Sequence, residues 1–211
     1  MFQIRMAAVF IFLLMLFSFP FNNALAGEPT EQLKTDVDNI IKTLNDKTLA
    51  REQRNQKIIN LIRQRFNFPL MSQWILGINW RKATSDQQEK FISLFTQQLE
   101  NTYMGRIEAY TGSYAENNVK YIEEEFKKGR ALVKTLIVTE SAEIPVDYKL
   151  SETKGEWRVY DVVIEEVSMV STYRNTYGEI VDKEGFDGLF TRMEKKIEEL
   201  KNSPAPEQQP T

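Results

Sequence analysis

The sequence of 211 residues contains no cysteine and no histidine. A disulfide framework, a thiol nucleophile, a cysteine-ligated zinc site and every Ser-His or Cys-His catalytic pair are therefore excluded. Without a lipobox cysteine we also expect no lipoprotein anchor. The net charge of −3 gives no electrostatic basis for general binding to nucleic acid or to anionic lipid surfaces. What is present, 42% hydrophobic and 27% charged residues, is typical of an ordinary globular protein.

Catalytic motifs are equally scarce. The glycines form neither a P-loop nor a dinucleotide-binding fingerprint. A Ser-x-x-Lys motif runs from Ser151 to Lys154, but it leads into a strand–turn–strand joint, where the two side chains would not meet. Ser168 lies between a strand and a helix with no histidine to activate it, so we expect it to cap that helix.

Carboxylates remain the only candidates for general acids or bases. The acidic runs at 123–125 and 165–166 are neighbours along strands, so their side chains point to opposite faces and do not converge. Asp161 is different because it lies within an apolar strand, where an unpaired carboxylate would be costly. We expect it to be hydrogen-bonded or paired with Arg158 or Arg174 in a structural role. The sequence thus predicts no enzyme, no cofactor and no metal site, with a hydrolase based on Asp161 as the catalytic alternative.

Residues 1–26 have the three parts of a secretory signal. Arg5 supplies a positive start, an apolar run covers 6–21, and the A-x-A site at 24–26 places cleavage after Ala26. An uncleaved membrane anchor is the alternative, but the run is shorter than the about 20 residues of a spanning helix, and it contains Pro20. We therefore expect an exported protein.

The first part of the mature chain is predicted to be helical. Apolar residues recur at helical spacing from Pro29 to Leu44, across 49–66, over 67–77 and from Ser85 to about Tyr110. Ser85 is the expected cap of the last helix, with Gln88 in the capping-box position.

The periodicity then changes to alternation, which predicts strands over 118–127, 130–140, 143–151 and 156–166. The turn signals Lys128-Gly129 and Lys154-Gly155 join consecutive strands, as in an antiparallel meander.

Two further helices are predicted over 169–183 and 186–201, separated by Gly185, and the tail 202–211 is expected to be disordered. This order of elements predicts one α+β domain over 27–201, in which helices pack on one face of a curved, four-stranded antiparallel sheet. Such an arrangement either fills the concave side of the sheet with core residues or leaves an apolar pocket there. Composition favours neither interpretation.

Short segments spread along the chain form an ordered set. They are FNFPLM at 66–71, LGINWRKAT at 76–84, QQEKF at 87–91, WRVYDV at 157–162, VSMV at 167–170, IVD at 180–182 and GFDGL at 185–189. Together with Phe95, Leu99, Tyr103 and Tyr173, this set resembles the MlaC, or toluene-tolerance, family of periplasmic lipid-binding proteins. The resemblance spans essentially the whole mature chain. One departure is Glu165-Glu166, where we would expect a glycine.

The resemblance implies an NTF2/cystatin-like antiparallel sheet whose helices enclose an acyl-chain pocket. It implies a soluble periplasmic carrier that shuttles phospholipid between the outer and inner membranes and so maintains outer-membrane lipid asymmetry. The implied partners are phospholipid, an inner-membrane ABC transporter complex with its lipid-transfer subunit, and an outer-membrane lipoprotein–porin complex. A carrier of another envelope lipid, such as a hopanoid, and an adaptor that binds only proteins are the alternatives.

The expected pocket residues follow from faces and periodicity and are not supplied by the resemblance. They belong to the helix that begins near Ser85, to the sheet and to the helix after it: Phe91, Phe95, Leu99, Tyr103, Ile107, Leu132, Leu136, Val146, Tyr148, Leu150, Val162, Ile164, Met169 and Tyr173. Three cations are expected at the headgroup rim: Arg81, Lys82 and Arg174.

Overall fold

A group of helices precedes the strands, and one long helix follows them, in the computed structural model, which describes residues 29–109, 118–139 and 142–202. The predicted leader, its cleavage site, Tyr110 and the tail after Asn202 lie outside the described residues. The described helices are α1 (Pro29–Leu44), α2 (Arg51–Arg65), α3 (Phe68–Leu76), a 3-10 helix (Gly77–Arg81), α4 (Ser85–Ala109) and α5 (Met169–Asn202). The helices expected from the periodicity are therefore present, with ends that differ by one or two residues.

The start of α4 corrects the expected cap. The main-chain nitrogen of Gln87 donates to Thr84 Oγ1 at 3.2 Å, and the main-chain nitrogen of Thr84 donates to Gln87 Oε1 at 3.0 Å. This is the reciprocal capping box, displaced by one residue from the predicted Ser85 and Gln88 pair. The displacement has a simple reason, since Ser85 is already the first helical residue.

Helix α5 is interrupted at the predicted position. Gly185 has φ 69° and ψ −172°, a backbone conformation that breaks the helix and that favours glycine. At the other end, Ser168 Oγ accepts a hydrogen bond of 3.1 Å from the main-chain nitrogen of Ser171, which confirms its role as the helix cap.

The sheet has five antiparallel strands in sequence order: β1 (Val119–Lys127), β2 (Arg130–Val138), β3 (Glu143–Thr153), β4 (Glu156–Ile164) and β5 (Val167–Ser168). The four predicted strands are confirmed, and β5 corrects their number. A strand of two residues is too short to show alternation. Glu165 and Glu166 form the turn before it with φ of 47° and 67°, a left-handed conformation that glycine would adopt at lower cost.

A β-bulge in β4 explains its irregular pattern. Leu150 pairs with Val159 and Lys149 pairs with Asp161, so Tyr160 is the extra residue. Val159 and Val162 consequently lie on the same face, although an odd spacing separates them. We call this face, which also carries Val133, Val146 and Leu150, the inner face.

Helices contact both faces of the sheet, and not one face as the sequence suggested. Leu33 and Val37 of α1 pack against the inner face. On the opposite face, Trp74 of α3 lies with its ring centroid 6.0 Å from that of Tyr160. None of the helices in the described ranges is long and apolar enough to span a membrane.

Candidate functional site

The inner face of the sheet forms one apolar layer with α1. Its buried members come from three strands and one helix: Leu33, Ala131, Val133, Val146, Leu150, Trp157, Val159 and Val162. Alternation along each strand places these side chains together, because residues two apart share a face. We call this group the sheet cluster.

The helices α3, α4 and α5 form a second apolar layer, the helical cluster. At its centre four aromatic rings pack together. Phe91 and Phe95 stack with parallel rings and centroids 5.9 Å apart, while Tyr177 contacts Phe91 edge-on at a centroid distance of 5.7 Å. Tyr173 meets Phe95 edge-on at 5.2 Å. Offset and edge-to-face contacts of this kind stabilise aromatic packing beyond the burial of their area.

Two residues connect the layers. Phe66, directly after α2, and Met169, the first residue of α5, each pack against both the sheet cluster and the helical cluster. The interior is therefore one continuous apolar region that reaches from the inner face to the aromatic rings. This region is the candidate site, since sites for apolar ligands are lined mostly by such side chains.

Two polar atoms without hydrogen-bond partners lie in or against the sheet cluster. Among the described residues, the Tyr121 hydroxyl and the Trp157 indole nitrogen are buried and unpaired. Burial raises the pKa of the Tyr121 phenol well above its usual value, and Tyr148, Asp38 and Glu31 act in the same direction. A neutral donor in an apolar layer lacks the acceptor that buried polar groups normally have.

Most of the predicted pocket residues line this region. Phe91, Phe95, Leu99, Tyr103, Met169 and Tyr173 belong to or pack against the helical cluster. Val146, Tyr148, Leu150 and Val162 belong to or pack against the sheet cluster.

Four predicted pocket residues belong to neither the sheet cluster nor the helical cluster. Leu132 and Leu136 are half-buried on the opposite face of the sheet, where they pair with Lys149 and Pro145. Ile107 packs in a third cluster with Leu44, Ile58 and Met104 of α1, α2 and α4. Ile164 pairs with Val146 on the inner face, but it lies at the end of β4 and is 36% exposed.

All three expected rim cations lie on the surface. Arg81 and Lys82 are exposed at the end of the 3-10 helix. Arg174 is also exposed, but its Nε donates to the main-chain oxygen of Trp74 at 2.7 Å, and its guanidinium carbon lies 6.0 Å from the Trp74 ring centroid.

Asp161 of β4 is a structural carboxylate that contacts the start of α5. It is 3% exposed and accepts hydrogen bonds from Ser168 Oγ at 2.8 Å and from the main-chain nitrogen of Val170 at 3.1 Å. Its charged partner is Lys149, whose Nζ lies 2.9 Å away. The expected hydrogen bonding is confirmed, and the expected arginine partner is wrong. The bulge brings Lys149 opposite Asp161, which the sequence does not reveal.

Sequence reasoning missed several residues of the candidate site. Leu33 on α1 and Trp157 on β4 are buried in the sheet cluster, and Phe66 bridges the layers. Leu33 and Phe66 each continue an apolar helical stripe, and this signal could have found them. No group of three or more acidic side chains able to hold a metal ion converges within 29–109, 118–139 and 142–202.

These observations define a class: an α+β protein whose sheet and helices share one apolar interior. The family model described as MlaC protein matches residues 34–195, which is most of the chain. This chain belongs to the MlaC family.

Two known proteins illustrate the likeness. The intermembrane phospholipid transport system binding protein MlaC of Haemophilus influenzae is 29% identical over 129 residues, which cover 57% of this chain and 58% of that protein. The chain therefore aligns with little more than half the length of this relative. A phospholipid-binding protein from Ralstonia solanacearum, solved in complex with a phospholipid, has a TM-score of 0.73 at 23% identity. That match covers 83% of this chain and 99% of the solved one, and it shows the shared fold.

Proposed function

We propose that this protein is a soluble carrier that binds phospholipid with its acyl chains in the apolar interior. The observation that carries the proposal is the continuity of the sheet cluster and the helical cluster through Phe66 and Met169 in a member of the MlaC family. The Haemophilus influenzae relative is named for phospholipid transport, and the Ralstonia solanacearum structure holds a phospholipid. Both names support the same ligand class for this chain.

A carrier of this kind needs an apolar interior that shields the acyl chains from water. Exposure of an acyl chain to water costs about 0.8 kcal/mol per CH₂, so the chains must be enclosed while the headgroup stays in solvent. A bilayer is as apolar as the protein interior, so loading and unloading depend on opening the enclosure. The work is binding and transfer, and the chain performs no reaction on its cargo.

The proposed location is the periplasm. The tripartite pattern of residues 1–26 supports export with cleavage after Ala26. The proposed partners are an inner-membrane ABC transporter complex with its lipid-transfer subunit and an outer-membrane lipoprotein–porin complex.

A vesicle assay tests the proposal. Donor vesicles containing radiolabelled phosphatidylethanolamine and phosphatidylglycerol are incubated with the detergent-free protein and separated from it by flotation. We expect labelled lipid to remain with the protein and to pass to unlabelled acceptor vesicles. A protein that takes up neither lipid would contradict the proposal and favour an adaptor that binds only proteins. Preferential uptake of a hopanoid included in the donor vesicles would identify that lipid as the cargo instead.

A further inference from the structure

Helix α1 lies over the inner face, where it contacts β1, β2 and β4, and its apolar contribution is small. It contributes Leu33 to the sheet cluster and packs Val37 against it, whereas all the other buried members come from the sheet itself. The second half of α1 packs elsewhere, since Ile40 and Leu44 join Ile58 of α2 in the third cluster. The first half therefore lies on the sheet with few apolar contacts.

Side-chain hydrogen bonds fasten this first half at two places. The main-chain nitrogen of Thr30 donates to Glu124 Oε2 of β1 at 2.7 Å, and the Thr30 hydroxyl bonds the same carboxylate. Gln32 donates through Nε2 to the main-chain oxygen of Gly155 at 3.2 Å and accepts from the main-chain nitrogen of Trp157 at 2.9 Å.

Arg65, the last residue of α2, is the third fastening. Its guanidinium group forms an ion pair with Asp36 of α1, donates to Gln32 Oε1 at 3.1 Å, and donates to the main-chain oxygen of Trp157. Arg65 is mostly buried at this junction, with a side-chain exposure of 17%. One side chain thus connects α1, α2 and the start of β4.

The neighbouring segment is attached to the sheet in a different way. Phe66 forms a parallel bridge with Val159, and the main-chain nitrogen of Asn67 donates to the main-chain oxygen of Val159 at 2.8 Å. For α1, the corresponding main-chain hydrogen bonds to the sheet do not occur among the described residues. Side-chain fastenings can open without disturbing the strand pairing, so α1 is the more easily released of the two.

The surface under α1 also carries polar groups that a lipid or water could reach if the helix moved away. The Tyr121 hydroxyl and the Trp157 indole nitrogen are buried there without hydrogen-bond partners among the described residues. Release of the helix would give both donors access to water or to the ester oxygens of a lipid, which relieves the cost of leaving them unpaired.

We propose that α1 is a movable cover over the inner face, that Arg65 fastens it, and that its release admits and discharges the lipid. The inference rests on the proposed function for the identity of the cargo. The motion itself is a local opening of the first half of α1, with α2, α3 and the sheet retained.

Thiol labelling measures the opening without lipid, because the natural chain has no cysteine. Leu33→Cys places a thiol on the buried side of α1, where it faces the sheet. Leu189→Cys places one in the helical cluster, where that leucine is fully buried. We expect a maleimide to label the Leu33→Cys protein about tenfold faster, since local opening is more frequent than global unfolding. Adding Arg65→Gln should accelerate labelling under the cover by about a further tenfold. The matched change Arg63→Gln, on the exposed side of α2, should leave it unchanged.

Cross-linking tests whether the opening serves transfer. Thiols at Thr30→Cys and Glu124→Cys are joined by a short, reducible bis-methanethiosulfonate, which ties α1 to β1. We expect vesicle-to-vesicle phospholipid transfer to fall by about tenfold and to recover when dithiothreitol cleaves the link. The same link between Lys90→Cys and Glu194→Cys joins α4 to α5 at an ion pair of 2.9 Å and should leave transfer unchanged.

The outcomes separate the two proposals. Equal labelling of the Leu33→Cys and Leu189→Cys proteins would overturn the movable cover, and so would undiminished transfer by the protein cross-linked between α1 and β1. In both cases lipid binding by the natural protein would stand. Absence of phospholipid transfer by the natural protein would instead overturn the proposed function, and with it the role of the cover in lipid exchange.

Discussion

Asp161 in β4 accepts a hydrogen bond of 3.1 Å from the main-chain nitrogen of Val170, the second residue of α5. The same carboxylate contacts Ser168 and Lys149, so it joins the sheet, the helix cap and the first turn of α5. A buried carboxylate with these three partners serves architecture.

Replacement of this carboxylate should cost stability. We expect Asp161→Asn to lower the free energy of unfolding by about 2 kcal/mol, because it removes the ion pair with Lys149 and weakens two hydrogen bonds to a charged acceptor. Urea denaturation measures the change. The control Asp147→Asn alters a half-buried carboxylate two residues before Lys149 and should stay within about 0.5 kcal/mol of the natural protein. Equal effects of the two changes would contradict the structural role.

The turn before β5 should tolerate glycine better than its natural residue. Glu166 has φ 67°, so Glu166→Gly should raise the free energy of unfolding by about 1 kcal/mol. Gly155 has φ 81° in the turn before β4, and Gly155→Ala should lower it by a similar amount, about 1 kcal/mol. Thermal denaturation of both variants checks the pair, and a loss of stability in Glu166→Gly would contradict the assigned backbone.

Filling the inner face should displace lipid. Val162 is buried on this face at 6% exposure, so Val162→Trp should reduce the phospholipid bound per protein by about half or more. Tyr148→Trp on the same face should act alike. Val138→Trp adds the same ring on the opposite face and should leave occupancy unchanged. Equal lipid content in all three proteins, measured after extraction, would show that the inner face does not hold the chains.

The unpaired phenol of Tyr121 predicts a pH effect. Its pKa is raised in the folded protein, mainly by burial, so the unfolded chain loses this proton first as the pH rises above the ordinary tyrosine pKa of about 10. Its contribution to stability is therefore complete below that pH and is lost above it. Tyr121→Phe should be at least as stable as the natural protein at pH 7, because it removes an unpaired buried hydroxyl, and it should lose less stability between pH 10 and pH 12. Parallel pH profiles in urea denaturation would contradict this assignment.

The predicted turns were reliable because their signals are local. Lys128-Gly129 and Lys154-Gly155 adopt the positive φ that a tight hairpin requires, and Gly185 breaks α5 where expected. Such positions depend on the conformational freedom of one or two residues, which the sequence states directly.

The assignment of side chains to faces was less successful because it depends on partners. In β2 both alternate sets contain apolar residues, so Leu132 and Leu136 competed with Ala131 and Val133 for the inner face. In the structure, packing with Leu33 of α1 marks the inner set. In β4 the bulge at Tyr160 changes the alternation and brings Lys149 opposite Asp161. A bulge of this kind is not visible in a local sequence pattern.

Mass spectrometry of the bound lipid tests the central claim most directly. The mature protein is exported to a periplasm, purified without detergent, measured in its native state and then extracted. The proposed carrier function predicts a diacyl phospholipid at about one per protein. A protein that emerges empty, and that also takes up no lipid from vesicles, would contradict it.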